Sequence, residues 1–332
     1  DLSLSSIEGL EVNSEHIILQ IGLNTDSSPN TDTLSVASSV FKNGIVYMDD
    51  DQTTTLIDYQ NSIFNNVYIR ANRDNITSTT EGLTCSNCLI ENSYIETPVL
   101  VIRNSRVGSS DFKSMSNGTY HQYQGNTLVN SALNYQGDIQ NLFVPGDGRD
   151  YKVTDNKLIN SYIFLPTANI SGNSFSFEPR LPGGIRDSVV AFVGFQNESK
   201  TDLFTIESNR FTGNRNLGGI YNFSDDSFSS SGDSSLYQQN TFYQNRVGLS
   251  LRFNNPLVEN NNFIGSTNFS IALEDDLSRT IGDNFFDGVT NVDSLILDQL
   301  DNSSLGRLTY GILAEPNPNA PITNPTTVLK TE

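Results

Sequence analysis

The sequence predicts an all-β solenoid, a chain wound into coils of short strands that stack on one another. Three observations predict it. The first is a recurring unit of Asn, any residue, then an apolar residue. It occurs as Asn61-Ser-Ile63, Asn126-Thr-Leu128, Asn156-Lys-Leu158, Asn173-Ser-Phe175, Asn209-Arg-Phe211, Asn240-Thr-Phe242, Asn261-Asn-Phe263 and Asn284-Phe-Phe286. Asn240 and Asn261 are 21 residues apart, Asn261 and Asn284 are 23 apart, and Asn209 and Asn240 are 31 apart. The interval from Asn209 to Asn240 holds "SDDSFSSSGDSS", which reads as a loop inserted into one repeat. Internal periods of this size signal a solenoid. The second observation is period-two alternation in "VGLSLRF", "FSIALED" and "SLILD", which is a strand pattern. Helical periodicity is weak, and the many Asn and Gly residues disfavour helices. The third is composition. The 332 residues are 36% hydrophobic, 17% charged and 10% aromatic. So many small polar residues point to turns, while the aromatics argue against disorder.

In a stack of coils, like positions fall into columns. A buried turn leaves backbone groups without partners unless a side chain supplies them. Asn tolerates the left-handed conformation and can bond a neighbouring amide one rung away. Two residues further on, the side chain points to the same side of a strand. An inward Phe there fills the interior and stacks on the Phe of the next rung, gaining about 1.5–3 kcal/mol when fully buried. The columns expected are Asn209, Asn240, Asn261 and Asn284, with Phe211, Phe242, Phe263 and Phe286.

The formal net charge is −19, with no basic stripe to offset it. Such a field repels nucleic acid and disfavours anionic lipid surfaces. No run of apolar residues is long enough to insert in a membrane. Cys85 and Cys88 form the pair in "CSNC". With only His16 and His121 to complete a four-ligand set, structural zinc is disfavoured. A disulfide between them needs a turn at Ser86-Asn87; two inert thiols are the other reading. The opening at Asp1 without a leader is expected of a trimmed, secreted chain. The Pro/Asn/Thr-rich end over residues 314–332 is expected of a linker to further domains.

The units "SNRFTGN", "QNTFYQN", "ENNNFIGS" and "GDNFFDGV" resemble the rungs of right-handed parallel β-helix proteins of the pectate-lyase-like superfamily. The resemblance covers residues 34–313. It implies one right-handed parallel β-helix over that span, with residues 1–33 as a short N-terminal cap or first irregular coil. The superfamily holds polysaccharide lyases, glycoside hydrolases, esterases, tailspikes and non-catalytic surface proteins, so the fold does not select an activity.

Each activity makes its own demand on the sequence. A hydrolase needs grouped carboxylates. Asp49-Asp50-Asp51, Asp225-Asp226 and Glu274-Asp275-Asp276 are available, but the polygalacturonase order of NTD, DD, GHG and RIK is missing. A lyase needs a base and neutralisation of the substrate carboxylate, commonly by calcium. Asp147 and Asp150 in "PGDGRD", with Asp275 and Asp276, are the candidate calcium ligands. Alignment of the last rungs puts Leu251, Leu273 and Leu297 in an inward column. Arg252, Glu274 and Asp298 then fall in an outward one, with Tyr221 on the rung before. That outward strip is the candidate carbohydrate-binding face. Its ordinary alternative is a set of surface ion pairs contributing under about 1 kcal/mol. The function expected is an extracellular, non-catalytic module that binds polysaccharide or cell-surface glycan, or mediates adhesion. A calcium-assisted lyase or a hydrolase is the second reading, and a structural stalk the third.

Overall fold

The computed structural model describes residues 6–9, 11–13, 17–22, 32–49, 55–71, 82–97, 99–114, 120–135, 150–164, 169–178, 191–197, 205–213, 218–224, 235–252, 256–273, 279–287 and 308–321. They form strands and turns with no helix among them, and every described strand pairing is parallel. The chain is a parallel β-helix. It divides into two compact units, Asp1–Leu165 with Pro182–Gly184, and Pro166–Leu181 with Ile185–Glu332.

In the first unit one coil consists of a first strand, a sharp turn, a short second strand, a second turn and a third strand. Gly82–Ser86, Leu89–Glu91 and Tyr94–Thr97 are one such set, followed on the next coil by Val99–Arg103, Arg106–Gly108 and Asp111–Ser114. Each strand pairs in register with the equivalent strand of the next coil: Cys85 faces Ile102, Ile90 faces Val107 and Ile95 faces Phe112. The strands Ser6–Glu8, Glu11–Asn13 and Ile17–Gly22 pair the same way with Asp32–Ala37 and Val40–Asp49. These three strands stack on the strands that follow, with a register slip between Ile17 and Leu19.

Both turns use one device. A residue with positive φ bends the chain, and the next residue turns its side chain inward. At the first turn of the first unit the bending residues are Asn61 (φ 51°), Asn87 (56°), Asn104 (49°), Gly125 (66°) and Asp155 (57°). The inward residues that follow are Ser62, Cys88, Ser105, Asn126 and Asn156, all buried. Conformation and hydrogen bonding, which the sequence reading assigned to one Asn, therefore belong to two adjacent positions. Asn61 is the clearest correction. It is the exposed bend, Ser62 is the inward residue, and Phe64 rather than Ile63 is fully buried.

The inward side chains form a file down each unit. In the first unit Cys88 N–H donates to Ser105 Oγ (3.0 Å), Ser105 N–H to Asn126 Oδ1 (2.8 Å) and Asn126 N–H to Asn156 Oδ1 (2.9 Å). In the second unit Asn173, Asn209, Asn240, Asn261 and Asn284 continue the pattern, each backbone N–H donating to the next amide oxygen at 2.9–3.0 Å. The second turn of the first unit has its own file, Ser93, Ser110, Ser131 and Ser161. Beside the amide file of the second unit run Phe175, Phe211, Phe242, Phe263 and Phe286, stacked with centroids 4.7–5.2 Å apart. Gly219 and Gly248 make room for this column. A Cβ on Gly248 would stand 2.7 Å from a Phe263 ring carbon.

The disulfide expectation is corrected. Cys85 and Cys88 are free, buried thiols. The turn a bridge would need is there, at Asn87, but Cys88 occupies a ladder position. Its sulfur receives the Ser62 N–H and lies 3.6 Å from the carbonyls of Tyr59 and Ser86. The linker expectation is corrected for part of its span. Asn317 N–H donates to Asn262 Oδ1 (2.8 Å), Asn317 Nδ2 donates to Asn260 O (2.8 Å), and Ala320 is buried. The Pro-rich segment up to Pro321 is anchored against the second unit, because amides rather than apolar side chains hold it.

Candidate functional site

The groove that collects chemistry lies on the first unit, at its second turn. Asn43, Asn66 and Asn92 are the bending residues there, with φ of 55°, 56° and 50°. Their side chains point to solvent. Asn66 Nδ2 donates to Asn43 Oδ1 (2.9 Å), and Asn43 Nδ2 donates to Asn13 Oδ1 (3.0 Å). Asn13, Asn43 and Asn66 thus form an outer file, one per rung, with both donors facing the same way, and Asn92 is the exposed bend of the next rung.

Two residues after each bend the side chain again faces outward, as strand alternation requires. These positions are Ile45, Tyr68 and Tyr94, in register with one another. Tyr68 and Tyr94 stack with centroids 4.9 Å apart and planes 16° apart. The ammonium of Lys113, from the next coil, lies 4.9 Å from the Tyr94 ring centroid. Tyr94 thus has one face against Tyr68 and the other against a cation. Tyr68 has its second face toward the rung of Ile45, which is 37% exposed. Together with the amides, these side chains line an open groove of about 660 Å³.

A charged column flanks the groove two residues further along the strands, where Arg70, Glu96 and Lys113 are in register. Glu96 is 2% exposed and accepts a hydrogen bond from Tyr94 Oη at 3.2 Å. Its carboxylate therefore holds the Tyr94 ring rather than facing solvent. Arg70 Nε is buried without a hydrogen-bond partner among the described residues.

The sequence-predicted strip lies elsewhere. Tyr221 and Arg252 are on neighbouring strands of the second unit, Gly218–Ser224 and Val247–Arg252. The register puts Phe223 opposite Arg252 and Tyr221 opposite Ser250, so Tyr221 is displaced by two residues from the proposed column. Leu251 pairs with Leu273, as the alignment of rungs requires. Glu274, Asp298 and Leu297 lie outside the described residues, as do Asp147, Asp275 and Asp276. Asp150 begins the strand Asp150–Thr154. Among the described residues, no three His, Cys, Asp or Glu side chains gather as metal ligands.

The groove was missed although the sequence carries its signal. Asn66-Val-Tyr68-Ile69 and Asn92-Ser-Tyr94-Ile95 share one pattern, and Asn43-Gly-Ile45-Val46 is its variant. Asn-x-Tyr has the spacing of Asn-x-Phe, but its aromatic points out. The difference is whether the Asn is the bend or the residue after it. Asn209 follows the bend at Ser208, so the offset of two puts Phe211 inside; Asn66 is itself the bend, so the same offset puts Tyr68 outside.

No family model matches the chain, and no curated protein matches it. Among solved structures, the crystal structure of the Agl-KA catalytic domain is similar over 93% of this chain and 62% of that one, with 10% identity and a TM-score of 0.28. The chain spans less than two thirds of that domain's length. A likeness that weak assigns no activity, and the fold stands on the chain's own parallel ladders.

Proposed function

We propose that this chain is a glycan-binding β-helix, a module of a secreted or surface-displayed protein, and that the ligand lies in the Tyr68 groove. The observation that supports it is the meeting of an aromatic face with a file of exposed amides. Sugar rings present C–H faces that pack on aromatic rings, and hydroxyls that both donate and accept. A planar amide also does both, with two N–H donors and two oxygen lone pairs. The groove is apolar on one side, at Ile45 and Tyr68, and polar on the other, at Asn43, Asn66 and Asn92. That division suits a ligand with the same two kinds of surface. The side chains sit on strands and tight turns, so little ordering remains to oppose binding.

A polysaccharide array tests this directly. The wild-type chain is expected to bind at least one glycan, and Tyr68→Ala to lose most of that binding while keeping the wild-type circular dichroism spectrum. Equal binding by both proteins would move the site away from the groove. Assays for reducing ends and for unsaturated uronate on the bound glycan are expected to stay flat. Product in either assay would make the module an enzyme.

A further inference from the structure

We infer that the groove takes an uncharged polysaccharide lying across the rungs and discriminates against acidic ones; this rests on the glycan-binding reading. The outer amide file carries the inference. Asn66 donates one N–H to Asn43, and Asn43 donates one to Asn13. Within the file Asn43 uses one N–H and one oxygen lone pair, leaving one of each for a ligand. A hydroxyl satisfies such a pair because it can donate to the oxygen and accept from the N–H. A carboxylate or sulfate accepts only, so the amide oxygen would face an anion with no proton between them.

The charges near the groove point the same way. Its lining of Asn43, Ile45, Asn66, Tyr68, Asn92 and Tyr94 carries no charge at neutral pH. Beside it Glu96 lies between Arg70 and Lys113 on adjacent strands, and Asp111 stands opposite Tyr94, so two positive and two negative groups border the groove. The Lys113 ammonium is placed over Tyr94. Beyond them the whole chain, at −19, repels a polyanion before contact. The rungs repeat at about 4.8 Å, and Asn43, Asn66 and Asn92 are exposed one per rung. A polymer with regularly spaced hydroxyls can engage several rungs at once; a free monosaccharide meets one or two.

Affinity electrophoresis in native gels separates the possibilities. The gels contain arabinoxylan, galactomannan or mixed-linkage β-glucan as neutral probes, and polygalacturonate or alginate as acidic ones. Sodium chloride is varied over roughly a tenfold range, enough to shorten screening about threefold. At least one neutral polymer is expected to retard the wild-type chain to the same degree at both salt levels. Asn66→Asp, which keeps shape but removes the side-chain N–H donors and adds a negative charge, is expected to weaken that retardation about tenfold or more, or 1.4 kcal/mol. Asn66→Gln, which keeps donor and acceptor, is expected to weaken it less than Asn66→Asp. Retardation by acidic polymers alone, growing as salt falls, would overturn the inference while leaving glycan binding intact. Retardation of wild type and Asn66→Asp alike by a neutral polymer would place that ligand off the amide file and overturn it too. No retardation by any polymer would remove the glycan-binding reading itself.

Discussion

One oxygen locks Asn261 to Asn284. Asn284 Oδ1 accepts both the backbone N–H and the side-chain Nδ2–H of Asn261, each at 3.0 Å. Asn284 Nδ2 in turn donates to Val258 O at 3.0 Å, back on the coil of Asn261. The same arrangement links Asn240 to Asn261 and Asn209 to Asn240. Each amide therefore adds a second tie between two coils, beside the strand ladders.

Replacement of one member should be felt on both sides of it. Asn261→Ala strands the Asn240 N–H and leaves Tyr237 O without its side-chain donor, both in the buried interior. The expected loss is about 2–4 kcal/mol, from unsatisfied buried groups rather than from lost contacts. Asn261→Ser should lose less, because Ser105 fills the equivalent place in the first unit, accepting from Cys88 N–H and donating to Arg103 O. Equilibrium urea unfolding of the three proteins checks the order, read from the midpoints at constant slope.

Cys88 makes a complementary case. It fills a place where its neighbours on either side use Ser62 and Ser105, and where Asn126 and Asn156 follow. A hydrogen bond from the Cys85 thiol holds Cys88 below the ordinary thiol range, while burial pushes Cys85 well above it. Sulfur is a weak donor and acceptor, so an amide there should bond the Ser62 N–H and Tyr59 O more strongly. Cys88→Asn is expected to raise the unfolding midpoint, by roughly 1 kcal/mol, and Cys88→Ala to lower it by about 1–3 kcal/mol. Asn at or below Ala in stability would show that the site is ruled by volume and not by the ladder. Both thiols should also resist aromatic disulfide reagents in the native chain and react in urea, since Cys85 and Cys88 are 0% and 3% exposed.

The bends predict a different response. Asn87 is exposed, with φ of 56°, and precedes the buried Cys88. Glycine adopts that conformation freely, whereas a β-branched residue there is strained. Asn87→Gly should lie within about 0.5 kcal/mol of wild type, and Asn87→Val should lose about 1–2 kcal/mol. Thermal melts distinguish the two. An equal loss for Gly and Val would mean that the Asn87 side chain, and not its backbone, holds the turn.

The coil, its parallel strands and its inward Phe column could be read from the sequence because each follows a fixed local rule. On a strand, an offset of two fixes the face, so Asn240 with Phe242 and Asn261 with Phe263 carry their own geometry. The first unit was less legible for the same physical reason. Ser, Cys and Asn all satisfy the inward position, and Phe64, Ile90, Val107 and Leu128 all fill the core beside it. Ser39 with Phe41 and Ser62 with Phe64 repeat one pair, Asn126 with Leu128 and Asn156 with Leu158 another, but no single pair runs the length of the unit. The outward Tyr68 and Tyr94 share a spacing with the inward rings, and the letters alone do not tell an Asn that bends the chain from one that turns inward after the bend. The register of Tyr221 was missed because a seven-residue strand gives no local sign of which residue faces Arg252. The place given to Tyr221 therefore depended on an offset that alternation alone leaves open by two.

Tyr59 gives the last prediction, and it carries a sign. Its ring is fully buried between Phe41 and Phe64, edge-on to both. Its hydroxyl has no hydrogen-bond partner among the described residues. A buried hydroxyl left unbonded costs about 1–3 kcal/mol, so Tyr59→Phe is expected to stabilise the chain. The same burial raises the phenol above its ordinary value near 10, and burial raises Tyr123 likewise. Above about pH 10 the unfolded chain releases these protons while the folded chain keeps them. The folded state then binds more protons than the unfolded one, so stability falls as pH rises. The contribution is whole below pH 10 and declines beyond it, with a limiting slope of about 1.4 kcal/mol per pH unit for each phenol. Tyr59→Phe removes one of the two, so its melting temperature should start higher at pH 8 and fall less steeply between pH 10 and 11. A variant that melts lower than wild type at pH 8 would show that the hydroxyl is bonded after all. Parallel alkaline slopes would show that Tyr59 does not titrate on unfolding in that window.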